Sequence, residues 1–131
     1  MIGILLITHG TLGESLIQCA CHVVNKRPVR IAQIGVAAQD DPQDVLLEAQ
    51  RLLATLDTGQ GVLVLTDIFG ATPSNIAMKL RQPGRVEVVA GVNVSMLLRV
   101  LTYREKSDID SVVQKAITGA CDGVIHVKGS I

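Results

Sequence analysis

The sequence has no surplus of charge of either sign. Twelve Lys and Arg are matched by twelve Asp and Glu over 131 residues, so nothing is left over to neutralise a phosphate backbone, and nucleic acid is not an expected partner. Long hydrophobic runs are missing as well. Mean hydropathy is high at +0.41, yet no stretch approaches the roughly 18 uninterrupted apolar residues of a membrane helix. Direct membrane insertion is therefore not expected, and the hydrophobicity is assigned to a buried core. The apolar run from Ile2 to Ile7 is too short for the core of a signal peptide and has no basic segment before it, which points to a cytoplasmic protein. Cysteine is scarce and odd in number. Cys19, Cys21 and Cys121 fit reduced thiols better than a disulfide framework. Cys19 and Cys21 with His22 have the look of a metal-site fragment, but no second ligand cluster follows, so helix packing accounts for them and no metal is expected. Internal repeats, low-complexity tracts and linkers are absent. So are the G-x-G-x-x-G and G-x-x-x-x-G-K-[ST] fingerprints of nucleotide sites, and no cofactor is expected.

What is present is 48% hydrophobic residues, material for one core and hence a single domain over 1–131. Ile2 to Thr8 is a continuous apolar run, the pattern of a strand covered on both faces. A Gly-punctuated turn, His9 to Gly13, follows it. Leu16, Ile17, Ala20, Cys21 and Val24 then recur at helical spacing until Asn25 and Pro28. Val29 to Val36 reads as a second strand, and Asp41-Pro42 as an N-cap with a first-turn proline. The helix after it carries an apolar stripe of Val45, Leu46, Ala49, Leu52, Leu53 and Leu56. Gly61 to Thr66 reads as a third strand, and Thr72-Pro73 as a cap and first-turn proline. Val86 to Ala90 is a fourth strand, Gly91 to Asn93 a turn, and Ser95 to Tyr103 a short helix. Asp108 caps a last helix bearing Val112, Val113, Ala116 and Ile117. Gly123 then opens a final strand, Val124 to Val127.

Strands alternating with helices predict an α/β fold: an open, mainly parallel sheet of four strands with helices on both faces. The C-terminal strand is shorter and carries His126 and Lys128. It is predicted as an edge strand, which pairing or exchange across a dimer would protect.

In such a sheet the binding crevice lies beyond the carboxyl ends of the strands. Four segments fall there: Thr8-His9-Gly10, Asp40-Asp41, Asp67 to Thr72, and Gly91-Val92-Asn93. His9 is the sole imidazole among them, and the glycine after it permits close approach by another molecule. Asp67 ends a strand at the same crevice. A carboxylate that accepts the N–H of one ring nitrogen leaves the other nitrogen's lone pair free. The helix start at Thr72-Pro73-Ser74-Asn75 offers unpaired N–H groups to an anion, and Gly70 and Ala71 let the backbone come near. Each feature has a plainer reading: a satisfied loop histidine, an aspartate in a turn, Thr72 as a simple cap. Together they describe phosphoryl transfer to histidine. His22 and His126 are assigned to structure.

Three stretches carry a family resemblance: Gly3-Ile-Leu-Leu-Ile-Thr-His9-Gly; Gly61-Val-Leu-Val-Leu-Thr-Asp67-Ile-Phe-Gly70-Ala-Thr72-Pro73-Ser-Asn75; and Ala90-Gly-Val-Asn93-Val-Ser-Met96-Leu. In order and spacing they resemble the signature stretches of the mannose-family IIA components of the phosphoenolpyruvate-dependent sugar phosphotransferase system. The resemblance implies a phosphohistidine at His9, oriented by Asp67, with Thr72 standing where the family carries a phosphate-contacting Ser or Thr; Gly10, Gly70 and Ala71, which let another molecule come close, are expected to hold the phosphate with it. It also implies a homodimer that shares the last strand, phospho-HPr as donor, and a IIB component as acceptor. Family members often carry Trp where Phe69 stands and Pro where Ser95 stands. Phe69 and Ser95 are therefore expected to face partners, and acceptor identity is the property these departures touch. Met96 is placed with them as partner-facing, although with Leu97, Leu98 and Leu101 it fits a core stripe better than a partner surface. With no linker or IIB domain after the last strand, the chain is expected either to serve a separate IIB and permease or to act as a regulator read in its phosphorylated state.

Three alternatives stay open. The phosphotransfer subunit of dihydroxyacetone kinase resembles this chain in fold and histidine, though the Thr-His-Gly-Thr context looks more like the sugar-transport branch. A receiver-type domain would need an acidic pair after strand one, where Thr8-His9 stands. A non-catalytic small-ligand-binding module is the third, because fold alone does not fix function.

Overall fold

The structure, a computed structural model, describes residues 1–129. The elements run β1 (Gly3–His9), α1 (Leu12–Val24), β2 (Ile31–Val36), α2 (Pro42–Leu56), β3 (Val62–Thr66), α3 (Thr72–Met78), β4 (Val86–Ala90), α4 (Val94–Tyr103) and α5 (Ile109–Asp122). The four strands pair in parallel in the order β2-β1-β3-β4, so the sheet is the open α/β sheet the alternation predicts. Among the described residues no helix is long and apolar enough to cross a membrane.

The apolar run that begins the sequence becomes β1 because both its faces are covered. Successive side chains of a strand point to opposite faces. Ile4 and Leu6 join Leu16, Ile17, Leu97 and Val112 on one side, while Leu5 and Ile7 join Val45, Ala49, Leu53 and Ile76 on the other. Helices α1, α4 and α5 thus cover one face, and α2 and α3 the other.

Local signals end and start the helices largely as read. Asn25 closes α1 in the left-handed conformation with φ of 64°. Asp41, Asn93 and Asp108 each accept a backbone N–H of the following first turn, from Gln43, Met96 and Ser111 at 2.8 to 2.9 Å. Four readings are corrected. The second strand starts at Ile31, because Arg30 has φ of 54° and breaks the extended chain. Thr72 is the first residue of α3 and Ala71 takes the cap position, with no side-chain cap bond. Ile117 is 43% exposed, off the buried stripe of α5, where Gly119 lies. Finally, residues 124–128 form no strand in a single chain. A strand exists only through pairing, and the sheet ends on β4 without engaging this tail, whose Val124, Ile125 and Val127 are 76%, 72% and 62% exposed.

Candidate active site

The strand order places β1 beside β3, and the carboxyl ends of these two central strands carry His9 and Asp67. Ile7 is in register with Thr66, so the histidine and the aspartate emerge side by side just past the last pair. One carboxylate oxygen, Oδ2 of Asp67, accepts the backbone N–H of His9 at 2.9 Å and lies 2.8 Å from its ring Nδ1. The other, Oδ1, accepts the N–H of Ile68 at 2.9 Å. The Asp67 side chain is 14% exposed and that of His9 53%. One partner is therefore sheltered and held at three points, while the other opens to solvent.

The electrostatics follow from this geometry. Burial works to raise the carboxyl pKa of Asp67. The hydrogen bonds from the His9 backbone and ring and from the Ile68 N–H, with the imidazole charge, outweigh it and hold the group below the ordinary carboxylate range. An ionised Asp67 accepts only, so Nδ1 is the protonated ring nitrogen. In the neutral ring Nε2 carries the free lone pair, and it has no hydrogen-bond partner among the described residues.

Neighbouring loops brace the pair. Gly10 has φ of 53° and donates to the Val36 carbonyl at 3.0 Å, tying the turn after His9 to the end of β2. The Asp67 carbonyl accepts the N–H of Gly91 at 2.7 Å, which brings the loop after β4 against the same residue. Asp67 leads through Gly70, with φ of 92°, into Ala71 and the exposed Thr72 at the start of α3. Ser74 holds that passage. Its hydroxyl accepts from the Gly70 N–H and donates to the Ala71 carbonyl, each at 2.9 Å.

Not every expected residue joins this cluster. Met96 is 1% exposed and packs in the core with Leu97 and Val100, which removes it from any partner-facing surface. Asn93 as the cap sets the phase of α4 and turns Met96 inward. Ser95 is half-buried and packs against Gly123. Asp40 and Asp41 both spend a carboxylate oxygen on local backbone, at Ala37 N and Gln43 N. Phe69 does lie on the surface at 72% exposure, beside Ile68 at 63%. Ile68 and the bracing Ser74 were not singled out from sequence. The signal for Ser74 was its hydroxyl within hydrogen-bonding reach of the preceding turn; Ile68 gave none beyond its place next to Asp67. Among the described residues no group of three or more His, Cys, Asp or Glu is placed to hold a metal ion.

This site lies in a stretch with known relatives. The profile of the EIIA-man family, described as PTS system fructose IIA component, matches residues 3–117. The chain belongs to this family. As a IIA component of the sugar phosphotransferase system it is 30% identical over 129 residues to the mannose-specific EIIAB component of Escherichia coli K12. That alignment takes in 97% of this chain and 40% of the relative, so the chain spans well under half the length of that protein. Over 45 residues it is 49% identical to the fructose-specific EIIA component of Bacillus subtilis, covering 34% of this chain and 31% of that one. Among solved structures, the EIIA component from Streptococcus agalactiae superposes with a TM-score of 0.85 at 26% identity, covering 96% of this chain and 97% of that one. The mannose/sorbose-specific IIA subunit from Enterococcus faecalis gives 0.86 at 21% identity, with 99% and 97% covered, a likeness of fold. The family match includes His9, Asp67 and Thr72 and stops before the exposed tail.

Proposed function

We propose that this IIA component is a cytoplasmic phosphoryl carrier that takes phosphate onto His9 Nε2 from phospho-HPr and passes it to a IIB component. The observation that carries the reading is the double contact of one Asp67 oxygen with His9, at the backbone N–H and at Nδ1. It fixes both the position of the ring and its tautomer. The Nε2 lone pair attacks the donor's phosphorus; the bond from phosphorus to the donor breaks as the bond to Nε2 forms. Asp67 balances the imidazolium so produced, and the hand-off reverses these steps towards the acceptor. Catalysis of this kind is mostly positioning and charge stabilisation. Gly10 and Gly70 leave room for the phosphoryl group, and the N–H groups at Ala71 and Thr72 with the Thr72 hydroxyl are suited to its oxygens.

Exposed Ile68 and Phe69 supply an apolar rim for partner proteins. The tail at Val124, Ile125 and Val127 is suited to pairing with a second subunit, since its apolar side chains have no cover in one chain. Transport through a IIB component and regulation by phosphorylation state draw on the same chemistry and differ only in the acceptor.

The test is incubation with phosphoenolpyruvate, enzyme I and HPr. The expected result is a gain of one phosphate that is acid-labile, base-stable and missing from His9→Ala. Labelling of that variant, or no labelling where a control IIA protein is labelled, would remove the proposal. Discharge of the phosphoprotein by a IIB component, and not by the acceptor subunits of dihydroxyacetone kinase, separates the two carrier roles.

A further inference from the structure

At the amino end of the sheet, opposite His9, a cavity of about 280 Å³ opens between the segment joining α1 to β2 and the end of α4. Val24, Lys26, Pro28, Leu101, Arg104 and Glu105 are among the residues lining it. Arg104 follows α4 directly and is 4% exposed. Its guanidinium donates to the carbonyls of Val29 and Arg30, and its own carbonyl accepts the N–H of Ile2 at 3.3 Å.

What Arg104 lacks is a counter-ion. Among the described residues no carboxylate lies within ion-pairing distance of Arg104 or of Lys26. A third cation on the wall, Arg27, is taken by Glu14, to which it donates at 3.0 and 3.2 Å. Glu105 is exposed. Burial pulls the Arg104 pKa down, with Glu105 acting weakly the other way, as happens for a cation withdrawn from water without a partner. Buried charges are ordinarily paired. Carbonyl oxygens satisfy two of the guanidinium's five N–H donors and carry no net charge. A clasp that merely held the chain at Val29 and Arg30 would require neither an open cavity beside it nor a second unpaired cation on its wall.

We propose that this cavity is a binding site for a small organic anion, a carboxylate or phosphate monoester with a short apolar body. Arg104 and Lys26 face its charge, and Val24, Pro28 and Leu101 face its carbon chain. The volume sits just below the range of about 300–1,000 Å³ typical of pockets for drug-sized molecules, so the body has only a few carbons. The site does not depend on the carrier reading, since it lies at the other end of the sheet and its occupancy is read without phosphotransfer.

The experiment is an NMR titration of the intact chain with butyrate, propyl phosphate and inorganic phosphate. Saturable shifts are expected at the amides of Lys26 to Val29 and Leu101 to Glu105 with at least one organic anion, which binds more tightly than inorganic phosphate. Response to butyrate alone assigns a carboxylate ligand; response to propyl phosphate alone assigns a phosphate ester. Lys26 is exposed, so Lys26→Met leaves the fold intact, and it is expected to weaken binding roughly tenfold by removing a charge-assisted contact. Arg104→Gln, tested in parallel, is expected to abolish binding. Three results would overturn the proposal: no saturable shift at these residues with any probe, equal affinity for inorganic phosphate, or unchanged affinity in Lys26→Met.

Discussion

The two ends of β1 differ sharply over a few residues. Ile2, Ile4, Leu5, Leu6 and Ile7 are fully buried, packed between two layers of helices, whereas His9 and Gly10 are exposed. The buried end has nothing to react with, and the exposed end makes few packing contacts that could hold a ring in place. The strand joins the two needs: the core fixes its direction, and the last residue is delivered to the carboxyl end of the sheet, where Asp67 completes its orientation. Substitutions along one strand should therefore divide into those that cost stability and those that cost chemistry.

The largest stability effect is expected within the core. Leu6→Ala removes a fully buried side chain and should destabilise by about 2–5 kcal/mol, read from the denaturation midpoint, with any surviving folded protein still accepting phosphate. Gly35→Ala tests whether the two ends are as separate as they look. A Cβ at Gly35 would collide with the backbone carbonyl of Gly10, and backbone cannot move aside cheaply. A loss of about 1–3 kcal/mol is expected, together with slower phosphorylation, because Gly10 follows His9, the proposed phosphate acceptor. Unchanged kinetics there would show that the turn after His9 tolerates displacement.

The pH dependence of Asp67 gives a finer test. Its carboxyl pKa is lowered in the folded state, so its stabilisation is present above the unfolded value of about 3.9 and is lost as pH falls through the folded value. Asp67→Asn should be less stable than the parent at neutral pH, and the difference should close as pH drops below that range. A constant gap from neutral to acid in paired pH titrations of stability would mean the carboxylate charge is not what holds the pair. The smallest stability effect is expected at Phe69, which is 72% exposed. Phe69→Ala should stay within about 0.5 kcal/mol of the parent while slowing transfer to or from partner proteins, as measured by the rate of label exchange.

The fold, and the places of His9 and Asp67 just past their strands, were legible in the sequence because both rest on local signals. A continuous apolar run specified a strand covered twice, and polar residues just past such strands marked the crevice. That His9 and Asp67 touch was not local information. It depends on β1 lying beside β3 in the strand order, and sequence spacing across 58 positions carries no trace of it without the rule for open sheets. Met96 was misjudged for a related reason. It was grouped with Ser95 as partner-facing, but the Asn93 cap sets the helix phase, and that phase buries Met96 beside Leu97. The tail has strand-like composition from Val124 to Val127, yet composition does not supply a partner, and one chain offers none. The unpaired charge of Arg104 was invisible because burial of a cation leaves no mark in an otherwise neutral composition.

The central claim is that Asp67 holds Nδ1 and so directs chemistry to Nε2. Heteronuclear NMR of the phosphorylated protein, with 15N-labelled histidine, measures this directly. The account predicts phosphorus bonded to Nε2 of His9, with Nδ1 still protonated against Asp67. Phosphorus on Nδ1, or on any residue other than His9, would contradict it.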